Sequence, residues 1–152
     1  MSNCKIIDGR DHPERVAHLV RALLLELDPK EAEATKVLVT PQLAAQLLTG
    51  EHIWALLAQD GDEFVGVLTL HQCASIYAGG LFGEISEFYV TPSHRSLKVG
   101  EQLLNAARDL ARRRQWQRLE VGSPPVAQSA RTLAFYQRNH FEVVGARLRH
   151  LL

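Results

Sequence analysis

The spacing of apolar residues changes abruptly near Gly50, and this change limits the fold more than any other feature of the chain. Before it, apolar residues recur at helical spacing: Val16, Leu19, Val20, Leu23, Leu24 and Leu27. After it, the short apolar runs 53–58 and 64–70 flank Asp60-Gly61, which is a typical hairpin turn. A chain that passes from helices to paired strands in this way is expected to form a mixed α/β fold.

The remaining segments predict the rest of the element order. A first strand is expected at 4–8, and a helical region from Glu31 breaks at Thr40-Pro41, with Leu43, Leu47 and Leu48 facing inward. The later predictions are a flexible loop at 75–83, strands at 84–90, 119–121 and 141–145, and helices from Val99 to the basic run 112–114 and over 128–139. No linker or repeat interrupts them, so residues 1–152 are predicted to form a single domain.

Charge is balanced over the whole chain but not along it. There are 17 basic and 17 acidic residues in all, with 6 basic and 13 acidic in residues 1–90 and 11 basic and 4 acidic in residues 91–152. The neutral total argues against a general nucleic-acid binder, whereas the basic second half is compatible with a local anionic ligand. Solvated helix faces of different sign would give the same pattern.

Several other classes of protein are excluded by what the sequence lacks. No apolar run reaches the roughly 20 residues that span a bilayer, and no secretory signal is visible. The two cysteines, Cys4 and Cys73, are too few for a disulfide framework, and a reducing cytoplasm is the expected location. His71 and Cys73 share a strand face, but without a paired Cys-x-x-Cys or His-Glu-x-x-His motif no metal site is predicted.

The segment 84–101 is the most informative for function. A strand leads through a short turn into a helix whose first amides have no intrahelical acceptor, and such an N-terminus attracts anions. Arg95 and Lys98 add positive charge, and Gly100 allows a close approach of ligand to backbone. A diphosphate group would suit this turn.

This turn resembles the acetyl-CoA pyrophosphate loop of the GNAT superfamily of N-acetyltransferases, whose pattern is Arg/Gln-x-x-Gly-x-Gly/Ala after a strand. Arg95 and Gly100 match the pattern, while Lys98 stands where the first glycine is usual. The strand segment 88–90 with Pro92 after it is similar to the family's fourth strand.

A second motif lies at the expected distance downstream. The run 134–136 followed by Phe141 resembles the family's helix with a tyrosine and its Gly-Phe entry to a strand. His140 replaces that glycine, and Ser129 stands where asparagine is common. The order of elements agrees over nearly the whole chain.

The resemblance implies a splayed, mostly antiparallel sheet of six or seven strands with about four helices, and acetyl-CoA wedged between the fourth and fifth strands. The pantetheine arm would follow the backbone like an added strand. The implied cofactor-binding residues are Phe88, Tyr89, Val90, Arg95, Ser96, Leu97, Lys98, Val99, Gly100, Glu101 and Ser129. A φ below zero is one expectation for Lys98, since its Cβ disfavours the glycine conformation, and added charge for the phosphates is the other.

Acetyl transfer to an amine requires a proton acceptor, an oxyanion donor and a proton donor for the leaving thiolate. Glu84 and Glu87 lie on the strand that flanks the implied thioester, and Glu87 is slightly preferred. Residues three apart on a regular strand point to opposite faces, so both could serve only if a bulge intervenes. Tyr136 is the implied proton donor.

The resulting hypothesis is an acetyl-CoA-dependent N-acetyltransferase that acts by direct transfer, without metal, on a small-molecule or peptide amine. The acidic first half favours a cationic acceptor such as a polyamine, an amino sugar or a lysine side chain. No nucleic-acid or membrane partner is expected, and the resemblance favours a homodimer. The alternative is a non-catalytic acyl-CoA-binding module with the same fold.

Overall fold

The computed structural model describes residues 4–124 and 129–152 and has a mixed α/β architecture. The helices are α1 (Pro13–Leu27), α2 (Ala32–Leu38), α3 (Pro41–Leu48), α4 (Val99–Arg113) and α5 (Ala130–Arg138). The strands are β1 (Lys5–Asp8), β2 (Ile53–Asp60), β3 (Glu63–Ser75), β4 (Gly80–Val90) and β5 (Leu119–Val121). The chain divides into two compact units, Met1–Glu120 and Val121–Leu152.

The sheet has the order β1-β2-β3-β4-β5, and the β1–β2, β2–β3 and β3–β4 pairings are antiparallel. The predicted Asp60-Gly61 hairpin is confirmed, because Asp60 pairs with Glu63 and Gly61 has a φ of +60°. A positive φ at this place gives the tight turn the twist that antiparallel strands require. The hairpin fixes the register of the two long central strands.

One face of the sheet is covered by α1 and α3. The first part of the helical stripe that the sequence predicts in α1 is buried against the strands, together with Leu48 of α3, whereas Leu23 and Leu24 are only partly buried and Leu27 is 50% exposed. The buried members of this core are Val16, Leu19, Val20, Leu48, Ala55, Leu57, Val67 and Tyr89. Thr40 begins α3 by accepting a hydrogen bond from the backbone N–H of Leu43, as a helix N-cap should.

The opposite face packs on α4, whose Leu103, Leu104 and Ala107 are fully buried. Gly66 of β3 brings the strand close to this helix, since a Cβ there would lie 2.9 Å from Leu103. The sheet of the first unit therefore lies between two apolar helix faces, and α4 is held firmly where it begins, just after β4.

Three details differ from the sequence prediction. The predicted loop 75–83 shrinks to the turn 76–79, and β4 starts at Gly80. Gly83 lies within this strand. It is a glycine because a Cβ there would lie 2.4 Å from the Trp116 ring, so the residue permits close packing rather than flexibility. Predicted inward residues Leu43 and Leu47 are 41% and 44% exposed, because they line a cavity.

The predicted last strand at 141–145 is wrong. Residues 141–152 have neither helix nor strand, and Val143 and Val144 are 69% and 79% exposed. Phe141 is instead held at the end of α5 by its backbone N–H, which donates to the Tyr136 carbonyl at 2.9 Å. The described residues therefore contain five strands rather than six or seven, with five helices rather than four.

None of the helices within residues 4–124 and 129–152 is long and apolar enough to cross a bilayer.

Candidate active site

A β-bulge interrupts the pairing of β4 with β3. Leu68 pairs with Phe88 and Leu70 pairs with Ile85, so the two residues 86 and 87 stand opposite Thr69 alone. The extra residue shifts the side-chain alternation of β4 by one position. As a result, Glu84 and Glu87 lie on the same face of the sheet, which is the condition under which both can serve one site.

Glu87 and Thr69 bond to each other through two contacts. The backbone N–H of Glu87 donates to Thr69 Oγ1 at 3.0 Å, and the Thr69 hydroxyl donates to Glu87 Oε2. The bulge removes residue 87 from the regular ladder, and the buried threonine hydroxyl accepts the N–H that would otherwise be unpaired. The carboxylate of Glu87 is thereby held in one direction.

Glu84 lies beside His71, its directly paired residue on β3. His71 Nε2 is 3.5 Å from Glu84 Oε2, and His71 Nδ1 is 2.9 Å from Ser86 Oγ. Cys73 follows two residues along the same face of β3, and its thiol pKa is raised by burial and by the charges of Glu84 and Glu120. The bulge therefore separates two clusters, one around Glu87 and one around Glu84.

A cavity of about 200 Å³ lies between this face of the sheet and the helices α1 and α3. Its polar wall consists of Thr69, His71, Ser86 and Glu87. Its apolar wall comes mainly from the helices and includes Val16, Ala17, Val20, Leu43, Leu47 and Leu48. Glu87 lines the cavity and Glu84 does not, so the structure distinguishes two carboxylates that the sequence left open.

The turn between β4 and α4 has an unusual backbone. Ser96 and Lys98 both have a φ of +65°, which is the left-handed conformation, so the expectation of a negative φ at Lys98 is wrong. Lys98 is the N-cap residue of α4, and no side chain caps this helix. The amides of residues 99–101 therefore begin a 15-residue helix without a side-chain acceptor, as an anion site requires.

The Arg95 guanidinium is bonded to side-chain and backbone groups of the protein. Its Nη1 and Nη2 donate to the two carboxylate oxygens of Glu26 at 2.9 and 2.7 Å, and its Nε donates to the Val90 carbonyl at 2.9 Å. The hydrogen bond to Glu26 raises the pKa of Arg95. Sequence reasoning missed Glu26, because a partner 69 positions away leaves no local signal.

The segment 88–90 contributes to the sheet and the core. Phe88 and Val90 pair with Leu68 and Gly66, and Thr91 N–H donates to the Val65 carbonyl at 2.8 Å. Tyr89 is buried in the core, which raises the pKa of its phenol, and the Arg95 guanidinium lies 5.4 Å from its ring centroid. Its side chain is therefore a packing element.

The second unit contains Ser129 and Tyr136. Ser129 caps α5 by accepting from Thr132 N–H at 3.3 Å, so its hydroxyl has a structural partner. Tyr136 is buried, and its ring centroid lies 5.4 Å from that of Phe141. Burial raises its pKa to about 12, so the phenol is neutral at physiological pH.

The helix α5 ends in a Schellman motif. His140 N–H donates to the Gln137 carbonyl, Phe141 N–H donates to the Tyr136 carbonyl, and His140 has a φ of +73°. The position where the resembled family carries glycine therefore keeps the left-handed conformation with a histidine, as Lys98 does at the other glycine position.

The sequence did not point to Thr69, the partner of Glu87. One feature of the sequence could have indicated it: Thr69 is a polar residue within the apolar run 64–70 of a central strand, and a buried hydroxyl there requires a hydrogen-bond partner. Ser86 likewise joins the site because the bulge places it opposite Thr69, where its hydroxyl lies 2.9 Å from His71 Nδ1.

Comparisons with known proteins identify the family and the fold. The profile of the Acetyltransferase (GNAT) family matches residues 17–141. Aminoalkylphosphonate N-acetyltransferase from Salmonella typhimurium is 30% identical over 106 residues, which is 68% of each chain.

Solved structures are similar over the full length. A putative acetyl transferase from Pyrococcus furiosus has a TM-score of 0.81 at 16% identity and covers 99% of this chain and 100% of its own. An aminoglycoside acetyltransferase from an uncultured soil metagenomic sample, in complex with trehalose, has a TM-score of 0.80 at 16% identity, covering 98% and 96%. These likenesses establish the fold. The family profile and the relative from Salmonella typhimurium show that the chain belongs to the GNAT acetyltransferase family and is an enzyme that transfers acetyl groups to amines.

Proposed function

We propose that this enzyme uses acetyl-CoA as its donor and acetylates a small primary amine bound in the cavity beside Glu87. The observation that carries the proposal is the orientation of the Glu87 carboxylate, which lines the cavity and is held by Thr69. A carboxylate fixed in this way can bind an alkylammonium ion and accept its proton.

Acetyl-CoA is the donor of the family, and two features of the first unit support its binding here. The uncapped N-terminus of α4 offers amides of residues 99–101 to the pyrophosphate, and Lys98 adds charge. The segment 88–90 offers backbone groups to the pantetheine arm. The Val90 carbonyl accepts a hydrogen bond from Arg95 Nε. When the pantetheine arm binds along this segment, the carbonyl either gives up that bond to the arm or keeps it beside the arm.

The reaction proposed is a direct transfer. Glu87 takes a proton from the ammonium, and the amine nitrogen then attacks the thioester carbonyl carbon. The nitrogen releases a second proton to solvent and the carbon–sulfur bond breaks as the tetrahedral intermediate collapses, giving the amide, the CoA thiolate and one proton. Tyr136 stays the predicted proton donor to that sulfur, and its raised pKa keeps the phenol protonated until it is needed. Glu84 stays a secondary candidate as the proton acceptor.

The cavity favours a compact amine with an apolar stem. Its volume of about 200 Å³ and its apolar helix wall suit an aliphatic chain, and its polar wall suits one ammonium group. An amino sugar carries hydroxyls that this apolar wall would leave unpaired. Among the cationic acceptors considered, we therefore place short aliphatic mono- and diamines before amino sugars and lysine side chains.

The test combines binding with turnover. Thermal unfolding is measured with acetyl-CoA, CoA, NAD and ATP, and a ligand present at about 100 times its dissociation constant should add about 2.7 kcal/mol to the free energy of unfolding. Release of CoA thiol is then measured with a short alkylamine, a diamine, an amino sugar and an alanyl peptide. A stability gain with NAD or ATP equal to that with acetyl-CoA would contradict the donor, and a preference for the amino sugar would contradict the acceptor class.

The predicted homodimer and cytoplasmic location stay predictions. Light scattering of the purified chain measures the first, and microscopy of a fluorescent fusion measures the second.

A further inference from the structure

A cluster of three side chains that can bind a metal lies on the face of the sheet that α1 and α3 cover: His71, Cys73 and Glu84. One ligand atom from each residue lies within 4.8 Å of the others, and all three residues are half-buried. The topology explains the cluster, because His71 and Cys73 alternate along β3 and Glu84 is paired with His71 on β4. We propose that this cluster binds a divalent cation of the zinc class.

The geometry around His71 supports a cation. His71 Nε2 and Glu84 Oε2 are 3.5 Å apart, longer than the mode for an N–H···O bond. Ligands bonded to zinc at about 2.0–2.1 Å lie roughly 3.3–3.4 Å apart at the corners of a tetrahedron, so these two atoms already have nearly the required separation. The Cys73 thiol lies within 4.8 Å of both atoms and supplies the third ligand.

The surroundings of His71 also fit a metal ligand. Ser86 Oγ lies 2.9 Å from His71 Nδ1 and orients the ring. A metal-bound histidine commonly has such a partner on its other nitrogen, which fixes the tautomer and leaves Nε2 free to coordinate. Ser86 stands at this place because of the bulge in β4.

The set of ligand atoms indicates which cation binds. A nitrogen, a sulfur and a carboxylate oxygen match zinc or its surrogate cobalt, whereas magnesium and calcium prefer oxygen alone. Glu120 also raises the pKa of the Cys73 thiol and is itself paired with Arg118, whose Nε lies 3.5 Å from Glu120 Oε2. Binding replaces the thiol proton by the metal, so one proton is released per cation, and the fourth position is left for water.

This proposal does not depend on the acetyl donor or acceptor assigned above. The probe is Co²⁺ added to the purified full chain after chelator treatment. Absorption is recorded in the visible region, where tetrahedral cobalt absorbs, and in the near ultraviolet, where a thiolate–cobalt charge-transfer band appears. We expect saturation at one cobalt per chain, a thiolate band, and loss of both signals when Zn²⁺ is added.

Matched variants assign the ligands. Cys73→Ser should abolish the thiolate band, while Cys4→Ser, which changes the other cysteine of the chain, should retain it. His71→Gln and Glu84→Gln should each weaken cobalt binding by at least about 10- to 100-fold, the scale found for altered metal-site shells. Circular dichroism of each metal-free variant verifies that it folds.

The result that overturns the proposal is a wild-type cobalt complex without a thiolate band, or no complex at all. A band that persists in Cys73→Ser and disappears in Cys4→Ser would overturn it equally. Unchanged affinity in folded His71→Gln and Glu84→Gln would do the same.

Discussion

Two regions of the first unit form the candidate site, and one depends on side chains whereas the other depends on backbone groups. The β3–β4 face depends on particular side chains, since Thr69 and Glu87 hold each other and Ser86 orients His71. The turn before α4 depends on backbone, since the Lys98 side chain makes no capping hydrogen bond to the first amides of the helix. We therefore expect substitutions on the sheet face to reduce activity severely and substitutions in the turn to weaken acetyl-CoA binding only mildly.

The largest expected effect is at Glu87. Glu87→Gln keeps the shape and loses the proton acceptor, so kcat/KM for amine acetylation should fall by about 10²–10⁴-fold. Glu84→Gln is the matched comparison on the same strand face, and its loss should be much smaller in chelator-treated enzyme. The measurement is CoA thiol release under saturating acetyl-CoA. If Glu84→Gln is the slower enzyme, the roles of the two carboxylates are reversed.

Tyr136→Phe tests whether the second unit also contributes a reacting side chain. Loss of the phenol should lower kcat by about 10²-fold, the usual scale for a missing proton donor. Phe135→Leu, which changes the neighbouring aromatic residue without removing a hydroxyl, is the control for packing. Unaltered kcat in a folded Tyr136→Phe enzyme would remove Tyr136 from the mechanism.

The raised pKa of Tyr136 also predicts how stability depends on pH. The phenol ionises near 10 when unfolded and near 12 when folded, so the folded state keeps its proton longer. Its stabilising effect is fully present below pH 10 and is lost as the pH rises from about 10 to 12, by about 2 to 3 kcal/mol at most. The free energy of unfolding, measured with urea between about pH 10 and 12, should therefore decline less with pH in Tyr136→Phe than in the wild type. Parallel declines in both proteins would contradict the burial-shifted pKa.

Substitutions of Lys98 test whether acetyl-CoA binding by the turn depends on the backbone rather than on this side chain. Lys98→Glu should weaken acetyl-CoA binding by about tenfold, the scale of one reversed and partly screened charge. Lys98→Gly should bind nearly as well and should raise the free energy of unfolding by up to about 1 kcal/mol, because glycine adopts the observed φ of +65° without strain. Calorimetric titration with acetyl-CoA and urea unfolding measure the two effects. A Lys98→Gly enzyme that no longer binds would show that the turn depends on this side chain after all.

The smallest expected effect is at Glu26. The Arg95–Glu26 pair is about half exposed, so Glu26→Gln should change the free energy of unfolding by less than about 1 kcal/mol. It also releases the Arg95 guanidinium, and acetyl-CoA affinity should rise if that charge then reaches the phosphates. Glu31→Gln, elsewhere in the acidic first half, controls for the change in net charge. Weaker binding in Glu26→Gln alone would mean that the pair positions the turn.

Sequence patterns predicted the fold where local chemistry decides it. The stripe of α1 from Val16 to Val20 and the Gly61 hairpin could be identified because spacing and turn residues express burial and backbone sterics directly. The strand at 141–145 could not be excluded, since its alternation is compatible with pairing and only the end of α5 at Phe141 takes that residue elsewhere.

For the candidate site, the sequence predicted individual residues but not how they are arranged. It offered both Glu84 and Glu87, with only a slight preference for Glu87, because a bulge has no reliable sequence signal and decides which carboxylate lines the cavity. It also treated Lys98 and His140 as departures from glycine, although both adopt the left-handed conformation. The flanking helix boundary fixes that conformation, and the residue type changes only its energy.

The bulge at residues 86 and 87 makes the length of β4 as important as its composition. Removing Ser86 altogether, rather than replacing it, would restore regular pairing and rotate one half of the strand against the other. Either Glu84 or Glu87 would then turn toward α4, and the buried residue beside it would be forced into the cavity. We therefore expect a deletion or an insertion of one residue in this segment to be as damaging as the loss of Glu87 itself, so the spacing of the two glutamates is a functional constraint on the chain.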